Sequence, residues 1–315
     1  MGLDEYVVGK EAGRGKFSTV FRAKRKADAT TIALKKIHID VMSQEDLDAC
    51  LREVNMLKDV CDHPNVISYH DSFLEDDALY IVLEWAHAGD LKRQIRKAKE
   101  KRARFDEVLI WKIFSQVADA LRHMHSKRTM HRDLKPANIF LSSDGTVKVG
   151  DLGLGRFLSE QTLEAFTRVG TPLYMSPELL ASSPSKKVLG YGFASDVYSL
   201  GCILYELVKL RAPFKEKGMT FTALCERVIR GDYEPLPDCF TDDLRDLVDQ
   251  MLSTDPDSRP SLDEIVRISQ EMRSRLIDLA GSKKKKEQHG NSESKSDDNG
   301  KEQSSSSSTH SSRKK

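Results

Sequence analysis

Cysteine is sparse in this chain. Cys50, Cys61, Cys202, Cys225 and Cys239 are odd in number and scattered, with no Cys-x-x-Cys pair. A disulfide framework or zinc knuckle is therefore not expected, and a reducing compartment is. Long apolar runs are also missing. None approaches the roughly 20 residues that cross a bilayer, so no membrane association is expected. The opening MGLDEYVVG has no basic region followed by an apolar run, so no signal peptide is expected. Tyr6 stands where a myristoylation signal wants Ser or Thr. An excess of one charge is missing too. Lys+Arg total 50 and Asp+Glu 49, a net +1, which argues against a broad field for sequence-independent nucleic-acid binding.

What is present is ample. The 315 residues, 39% hydrophobic and 31% charged, are about twice an ordinary domain. Two lobes or domains with a sizeable core are expected. The near-neutral total hides an asymmetry. Ser282–Lys315 carries nine basic and five acidic residues, net +4, which leaves 41 and 44, net −3, for the other 281.

The first eighty residues read as strands around one helix. YVVGKEAG, STVFRAKR and TTIALKKIHI are β-rich runs parted by Gly or polar turns. Ser43–Val60 has Leu47, Leu51, Val54 and Leu57 at helical spacing. Strands follow near Val66–Phe73 and Leu79–Leu83, then a connector. From Asp90 the chain reads as mostly helical. Helices are expected at Phe105–His125, Asp196–Val208, Thr220–Arg230, Asp242–Leu252 and Leu262–Leu279. The second is apolar nearly all round and so should be buried. Order is expected to end near Gly281, because the Lys- and Ser-rich remainder has no apolar residues to bury.

Gly13-Arg14-Gly15-Lys16-Phe17-Ser18-Thr19-Val20 places two glycines between strands, where backbone amides can approach phosphate oxygens. A plain hairpin turn would look the same. No Walker A string exists, and a strand rather than a helix follows, against a dinucleotide fold. Ile32-Ala33-Leu34-Lys35 sets a lysine in an apolar strand, and Glu53 on the next helix is a candidate partner. Then come His131-Arg132-Asp133-Leu134-Lys135-Pro136-Ala137-Asn138, Val149-Gly150-Asp151-Leu152-Gly153, Gly170-Thr171-Pro172, Ser176-Pro177-Glu178, Asp196 and Arg259.

In that order and spacing, the sequence resembles a eukaryotic protein kinase over roughly Tyr6 to Leu279. More narrowly it is similar to the NIMA-related serine/threonine kinases, especially the short members that are little more than a catalytic domain. The narrower cues are Gly-Arg-Gly-x-Phe-Ser, Asp-Leu-Gly, Gly-Asp-Leu-Gly-Leu-Gly-Arg-Phe and Val-Gly-Thr-Pro-x-Tyr-Met-Ser-Pro-Glu.

The resemblance implies an α+β bilobal fold. An arm (1–5) precedes the kinase domain (6–280), and a disordered tail (281–315) follows it. Within the domain the N-lobe is 6–83, the hinge 84–90 and the C-lobe 91–280. It implies ATP and Mg²⁺ as cofactors and Ser/Thr hydroxyls of protein substrates as acceptors. Lys35 would hold the α/β-phosphates and Glu53 would hold Lys35. Asp151 and Asn138 would bind Mg²⁺, Asp133 would take the acceptor's proton, and Lys135 would meet the γ-phosphate. The loop Gly13–Ser18 would cover the phosphates. Adenine would lie between Val20, Ala33 and Phe140, with Leu83 behind it and the backbone of Glu84 and Ala86 reading its edge. Glu178 with Arg259, and Asp196, read as scaffold, and His131 as part of a spine with Leu57 and Leu152. The histidines are not expected to bind metal.

Four residues read as regulatory. Thr167 is a phosphorylation site whose phosphate Arg132 would pair. Thr171 would shape the acceptor pocket, and Tyr69 is a candidate autoinhibitory residue, with core packing as the other reading. The expected partners are protein substrates and an activating protein or upstream kinase, with no nucleic acid or membrane; the chain is expected to be monomeric. The location implied is cytoplasmic, with nuclear, centrosomal or spindle pools, and the role mitotic or microtubule-linked. Lys283–Lys286 reads as a nuclear import signal, an acidic-surface contact or a solvated tail. Rival readings are a pseudokinase scaffold, and a small-molecule or lipid kinase. Leu173 departs from the tyrosine common in relatives.

Overall fold

The computed structural model describes residues 2–15, 18–39, 42–151, 173–181, 192–216 and 218–293. At 46, 49, 53 and from 280 onward only the backbone is described. The chain divides into two units, Met1–Met272 and Arg273–Lys315.

The N-terminal part is a five-stranded antiparallel sheet of β1 (Tyr6–Arg14), β2 (Ser18–Arg25), β3 (Thr31–His38), β4 (Tyr69–Glu75) and β5 (Ala78–Glu84). Their order is β1-β2-β3-β5-β4. Strand alternation explains its two faces. Ile32, Leu34, Ala78, Tyr80 and Val82 pack with Tyr6 and Ala23 on one side. Ile37, Leu79 and Ile81 pack on the other with Cys50 and Val54 of α1 (Gln44–Val60). Each fully buried Leu or Ile contributes about 1.5–3 kcal/mol. Central β3 and β5 are thus apolar on both faces, whereas edge strand β1 buries only Tyr6 and exposes its charges to solvent. Lys35 shares the parity of Ala33 and Ile37, so it lies on the α1 face of the sheet.

The C-terminal part is mainly helical: α2 (Leu91–Glu100), α3 (Glu107–Ser126), α4 (Pro177–Leu180), α5 (Phe193–Lys209), α6 (Phe221–Arg230), α7 (Asp242–Met251) and α8 (Leu262–Glu293). A small hairpin of β6 (Ile139–Leu141) and β7 (Val147–Val149) lies between α3 and α4 in the chain. Asp106 caps α3 by accepting the Leu109 N–H at 2.7 Å. Helix α5 is buried along nearly its whole length, as its all-round apolarity predicts. At Gly201 an added Cβ would fall 2.8 Å from the Met251 Cβ, so α5 and α7 approach too closely there for any side chain.

Three expectations need correction. Strand β4 begins at Tyr69, not Val66. Residues 65–67 pair with β7 instead: Ile67 N–H donates to Val149 O, and Val149 N–H to Asn65 O. Strand β7 was too short to stand out by periodicity, and helix α2 offers only Leu91, Ile95 and Ala98 as an apolar side among its Lys and Arg residues. Finally, α8 runs to Glu293, so 281–293 are helical where disorder was expected. Lys283–Lys286, Glu287 and Gln288 are good helix formers that need no core to adopt that backbone. Residues 294–315 lie outside the described residues.

Candidate active site

The segment His131–Asn138 carries most of the polar groups. Its backbone is held from below by Asp196, which is fully buried on α5. The Asp196 carboxylate accepts the His131 N–H at 2.8 Å and the Arg132 N–H at 3.0 Å, and lies 2.9 Å from His125 Nε2. Hydrogen bonds to a charged acceptor are worth about 1.5–3 kcal/mol each. They help hold Arg132 at φ +67°, a left-handed conformation costly for a side-chain-bearing residue.

Above that support Asp133 gathers its neighbours. Lys135 Nζ is 2.6 Å from its Oδ2. Asn138 Nδ2 donates to the Asp133 carbonyl at 2.8 Å and to Oδ2 at 3.1 Å. The His131 ring is wholly buried, facing the Asp133 N–H through Nδ1 (3.3 Å) and the Gly150 carbonyl through Nε2 (3.1 Å). Gly150 N–H donates to Asn138 O. A Cβ at Gly150 would meet Ile67 Cγ1 at 2.8 Å and Phe140 Cε2 at 2.9 Å, so glycine is required by space.

Asp151 follows at φ +55°. Its Oδ1 lies 2.7 Å from Nζ of the buried Lys35. The Lys35 ammonium holds the Asp151 carboxyl below the usual carboxylate range, against the opposing effect of burial. Five polar side chains from β3, the 133–138 loop and the end of β7 thus converge. The side chain of Glu53 lies outside the described residues, as do Lys16, Phe17, Thr167, Thr171 and Leu152.

Ala33 lies opposite Leu83 across β3 and β5. Ala33 is buried on β3, while Val20, Leu83 and Phe140 are partly open. Glu84 N–H donates to Ser68 O, so only its carbonyl could read a ligand's edge. The Glu84 carboxylate turns away to Ser68 and to Lys148 Nζ (2.9 Å). The connector after it is pinned to β6 by Ala88 N–H on Leu141 O and Leu141 N–H on Gly89 O. Gly13 pairs with Val20 across the β1–β2 hairpin, Gly15 N–H donates to Ser18 O at 2.7 Å, and Arg14 pairs with Glu11. A Cβ at Gly13 would meet nothing within 4 Å, so the strand end opens onto free space.

Two scaffold contacts match expectation. Arg259 grips Glu178 by two parallel bonds of 2.8 Å. Burial alone would raise the Glu178 carboxyl, yet the Arg259 bonds and nearby donors outweigh it and hold it at about 2. His123 and His125 do part company: His123 stacks on His63, with centroids 4.9 Å apart, and His125 faces Asp196. Among the described residues no cluster could hold a metal through His, Cys, Asp and Glu alone.

Tyr69 is the first residue of β4. Its hydroxyl donates to Ser72 Oγ at 2.8 Å and Lys58 Nζ lies over its ring. The phenol is engaged within the N-terminal part, not with Lys35 or Asp151. The guanidinium of Arg132 has no ion pair among the described residues.

Sequence reasoning missed one buried pair. The Tyr174 hydroxyl donates to Glu206 Oε2 at 2.6 Å, tying the segment before α4 to α5. Burial raises the Glu206 carboxyl. The available signal was a lone acid inside the apolar run Ile203–Val208.

The protein kinase domain family matches residues 6–269. The chain is similar to the probable serine/threonine-protein kinase nek3 of Dictyostelium discoideum, 39% identical over 269 residues, 84% of this chain and 23% of the relative. It is 36% identical to the serine/threonine-protein kinase Nek1 of Mus musculus over 264 residues, covering 84% and 21%. It is 34% identical to the probable serine/threonine-protein kinase nek2 of D. discoideum over 272 residues, covering 85% and 63%. The chain belongs to the protein kinase family, within its NIMA-related (Nek) serine/threonine group. It spans between about a fifth and just under two thirds of the length of these relatives.

Proposed function

We propose that this chain transfers the γ-phosphate of ATP to Ser or Thr hydroxyls of protein substrates. The observation that carries the reading is the convergence of Lys35, Asp133, Lys135, Asn138 and Asp151, with Lys35 and Asp151 2.7 Å apart across 116 residues of sequence. Family membership implies ATP as the phosphoryl donor.

The donor set fits Mg²⁺. Asp151 offers a carboxylate, and Asn138 spends its amide N–H groups on Asp133, which leaves its carboxamide oxygen for a cation. These are hard oxygen ligands of the kind Mg²⁺ takes. Bound there, Mg²⁺ would neutralise phosphate charge. Lys35 pairs with the α/β-phosphates, and Glu53 steadies it. Asp133 orients the acceptor hydroxyl and takes its proton as the new O–P bond forms and the bond to ADP breaks. Lys135 compensates charge on the transferred group. Val20, Ala33, Leu83 and Phe140 enclose adenine, the loop Gly13–Ser18 covers the phosphates, and the Glu84 carbonyl and Ala86 amide read the base.

Phosphorylation of Thr167 would supply the anion that Arg132 pairs with, and Thr171 would shape the acceptor pocket. We assign the chain to mitotic or microtubule regulation in the cytoplasm, with nuclear, centrosomal or spindle pools. It would act as a monomer under an activating partner or upstream kinase. Tagged protein followed through the cell cycle tests that placement. No helix among the described residues is long and apolar enough to cross a membrane. The decisive experiment is Mg²⁺-dependent incorporation of labelled phosphate into a serine-containing protein by wild type and by Asp133→Asn. Incorporation by wild type and its loss in the variant support the reading. Equal signals from both, or none from wild type, overturn it.

A further inference from the structure

The near-zero net charge conceals one strongly basic surface. Of the thirteen residues 92–104, eight are Lys or Arg and one, Glu100, is acidic. That is +7 in a chain whose total is +1, which leaves −6 for the rest. All eight basic side chains are exposed. Among the described residues, the only carboxylate within ion-pair distance of any of them is Glu100, 3.8 Å from Arg96.

This face is not an accident of an amphipathic helix finding its core. Leu91, Ile95 and Ala98 are the buried side of α2 and are fully used there. The outer side sets like charges one turn apart, Lys92 with Arg96 and Arg93 with Lys97. Such pairs each weaken a helix by about 0.2–0.5 kcal/mol. The repulsion has almost no internal counterion, so an external anion would relieve it.

The position of the helix indicates which anion. Its buried side packs against the turn Pro136–Asn138, immediately after Lys135. Gln94 Nε2 donates to Ala88 O, fixing α2 to the connector. Lys92 and Lys99 are close enough to favour the ionised form of Glu206, whose partner Tyr174 lies in the segment leading into α4. Helix α2 therefore adjoins the loop that would meet the acceptor, and its outer face carries the charge. Its exposed side carries no aromatic residue to stack on a base and no large apolar residue to enter a bilayer. Ten helical residues extend about 15 Å, a span suited to a short peptide.

We propose that the outer face of α2, with residues 101–104, docks an acidic segment of the protein substrate and so raises its local concentration at Asp133. The substrate part rests on the kinase reading; the binding part does not.

The probe is fluorescein-labelled decaglutamate, followed by anisotropy with the full chain at 50 and 200 mM salt. The variant Arg93→Glu/Lys97→Glu/Lys101→Glu should weaken binding at least tenfold, and higher salt should weaken the wild type. In phosphorylation assays the variant should raise KM about tenfold for a serine peptide carrying an acidic run, with kcat unchanged. KM for the same peptide with Gln for Glu should not move, and this also reports that the variant is folded. The milder triple Gln variant should shift KM in the same direction by less. Unchanged decaglutamate binding by the charge-reversed variant overturns the proposal. So does tighter wild-type binding of a 20-nucleotide single strand or phosphatidylserine vesicles than of decaglutamate at equal salt. If no peptide is phosphorylated the kinase reading fails, while the anisotropy still decides the docking site.

Discussion

Lys35 Nζ and Asp151 Oδ1 lie 2.7 Å apart, bringing the centre of the N-terminal sheet against the second residue after β7. Lys35 is buried, so its ammonium depends on this carboxylate for compensation. Lys35→Met should lower kcat/KM by two or more orders of magnitude and weaken ATP-analogue binding, as read by steady-state kinetics and calorimetry. Asp133→Asn should lower kcat by about 10²–10⁴, the usual worth of a general base, while leaving nucleotide affinity near wild type.

Asp196 acts through the backbone. Asp196→Ala would leave the buried N–H of His131 and the N–H of Arg132 without their acceptor, at about 1–3 kcal/mol each. Thermal unfolding should occur several degrees lower, and activity should fall although no group touching substrate has been changed.

Space at Gly150 sets a third expectation. Gly150→Ala forces Ile67 and Phe140 to move by several tenths of an ångström. Overpacking of this kind costs about 1–3 kcal/mol. Because Gly150 adjoins Asp151, kcat should fall by more than a stability loss of that size explains. Chemical denaturation and kinetics on the same preparation separate the two effects.

The Glu178–Arg259 pair makes stability depend on acid. The Glu178 carboxyl is held at about 2, against 4.5 when free. Its stabilisation is therefore complete above about pH 4.5 and is lost as pH falls toward 2. The shift corresponds to about 3 kcal/mol. Glu178→Gln should remove that part of the acid dependence and destabilise the protein at neutral pH, as urea titrations from pH 3 to 7 would show.

Tyr69 packs with Leu57 and Leu83 against Ile37, Val54 and Ile81, with its hydroxyl on Ser72. Tyr69→Ala should therefore destabilise the protein, by less than the ~3–5 kcal/mol of a fully buried aromatic because Tyr69 is only partly buried. It should not raise basal activity. A gain in basal turnover would favour the autoinhibitory reading instead.

Much of the architecture was legible in the sequence because it follows from short-range physics. Continuous apolar runs at Ile32–Leu34 and Leu79–Val82 mark strands buried on both faces, and the apolar length of Asp196–Val208 marks a buried helix. The motif residues Asp133, Asn138 and Asp151 stood out by type and spacing. Less legible were features whose cause is distant. The start of β4 moved because residues 65–67 hydrogen-bond to β7, more than eighty positions along the chain. The helical stretch 281–293 was hidden because composition reports the lack of a core, not backbone propensity. The basic face of α2 was masked by acids elsewhere that cancel it in the total.

The order of residues determined which groups are available: the glycines that leave space, the acids and lysines of the loop, and the apolar periods that place each strand and helix. Tertiary structure alone decided which of those groups meet. Lys35 finding Asp151, His125 and two backbone amides finding Asp196, and Tyr174 finding Glu206 are all long-range contacts. The chain's local preferences do not encode such pairings. They arise when burial of the apolar faces closes the intervening loops and leaves each desolvated charge the partner within reach.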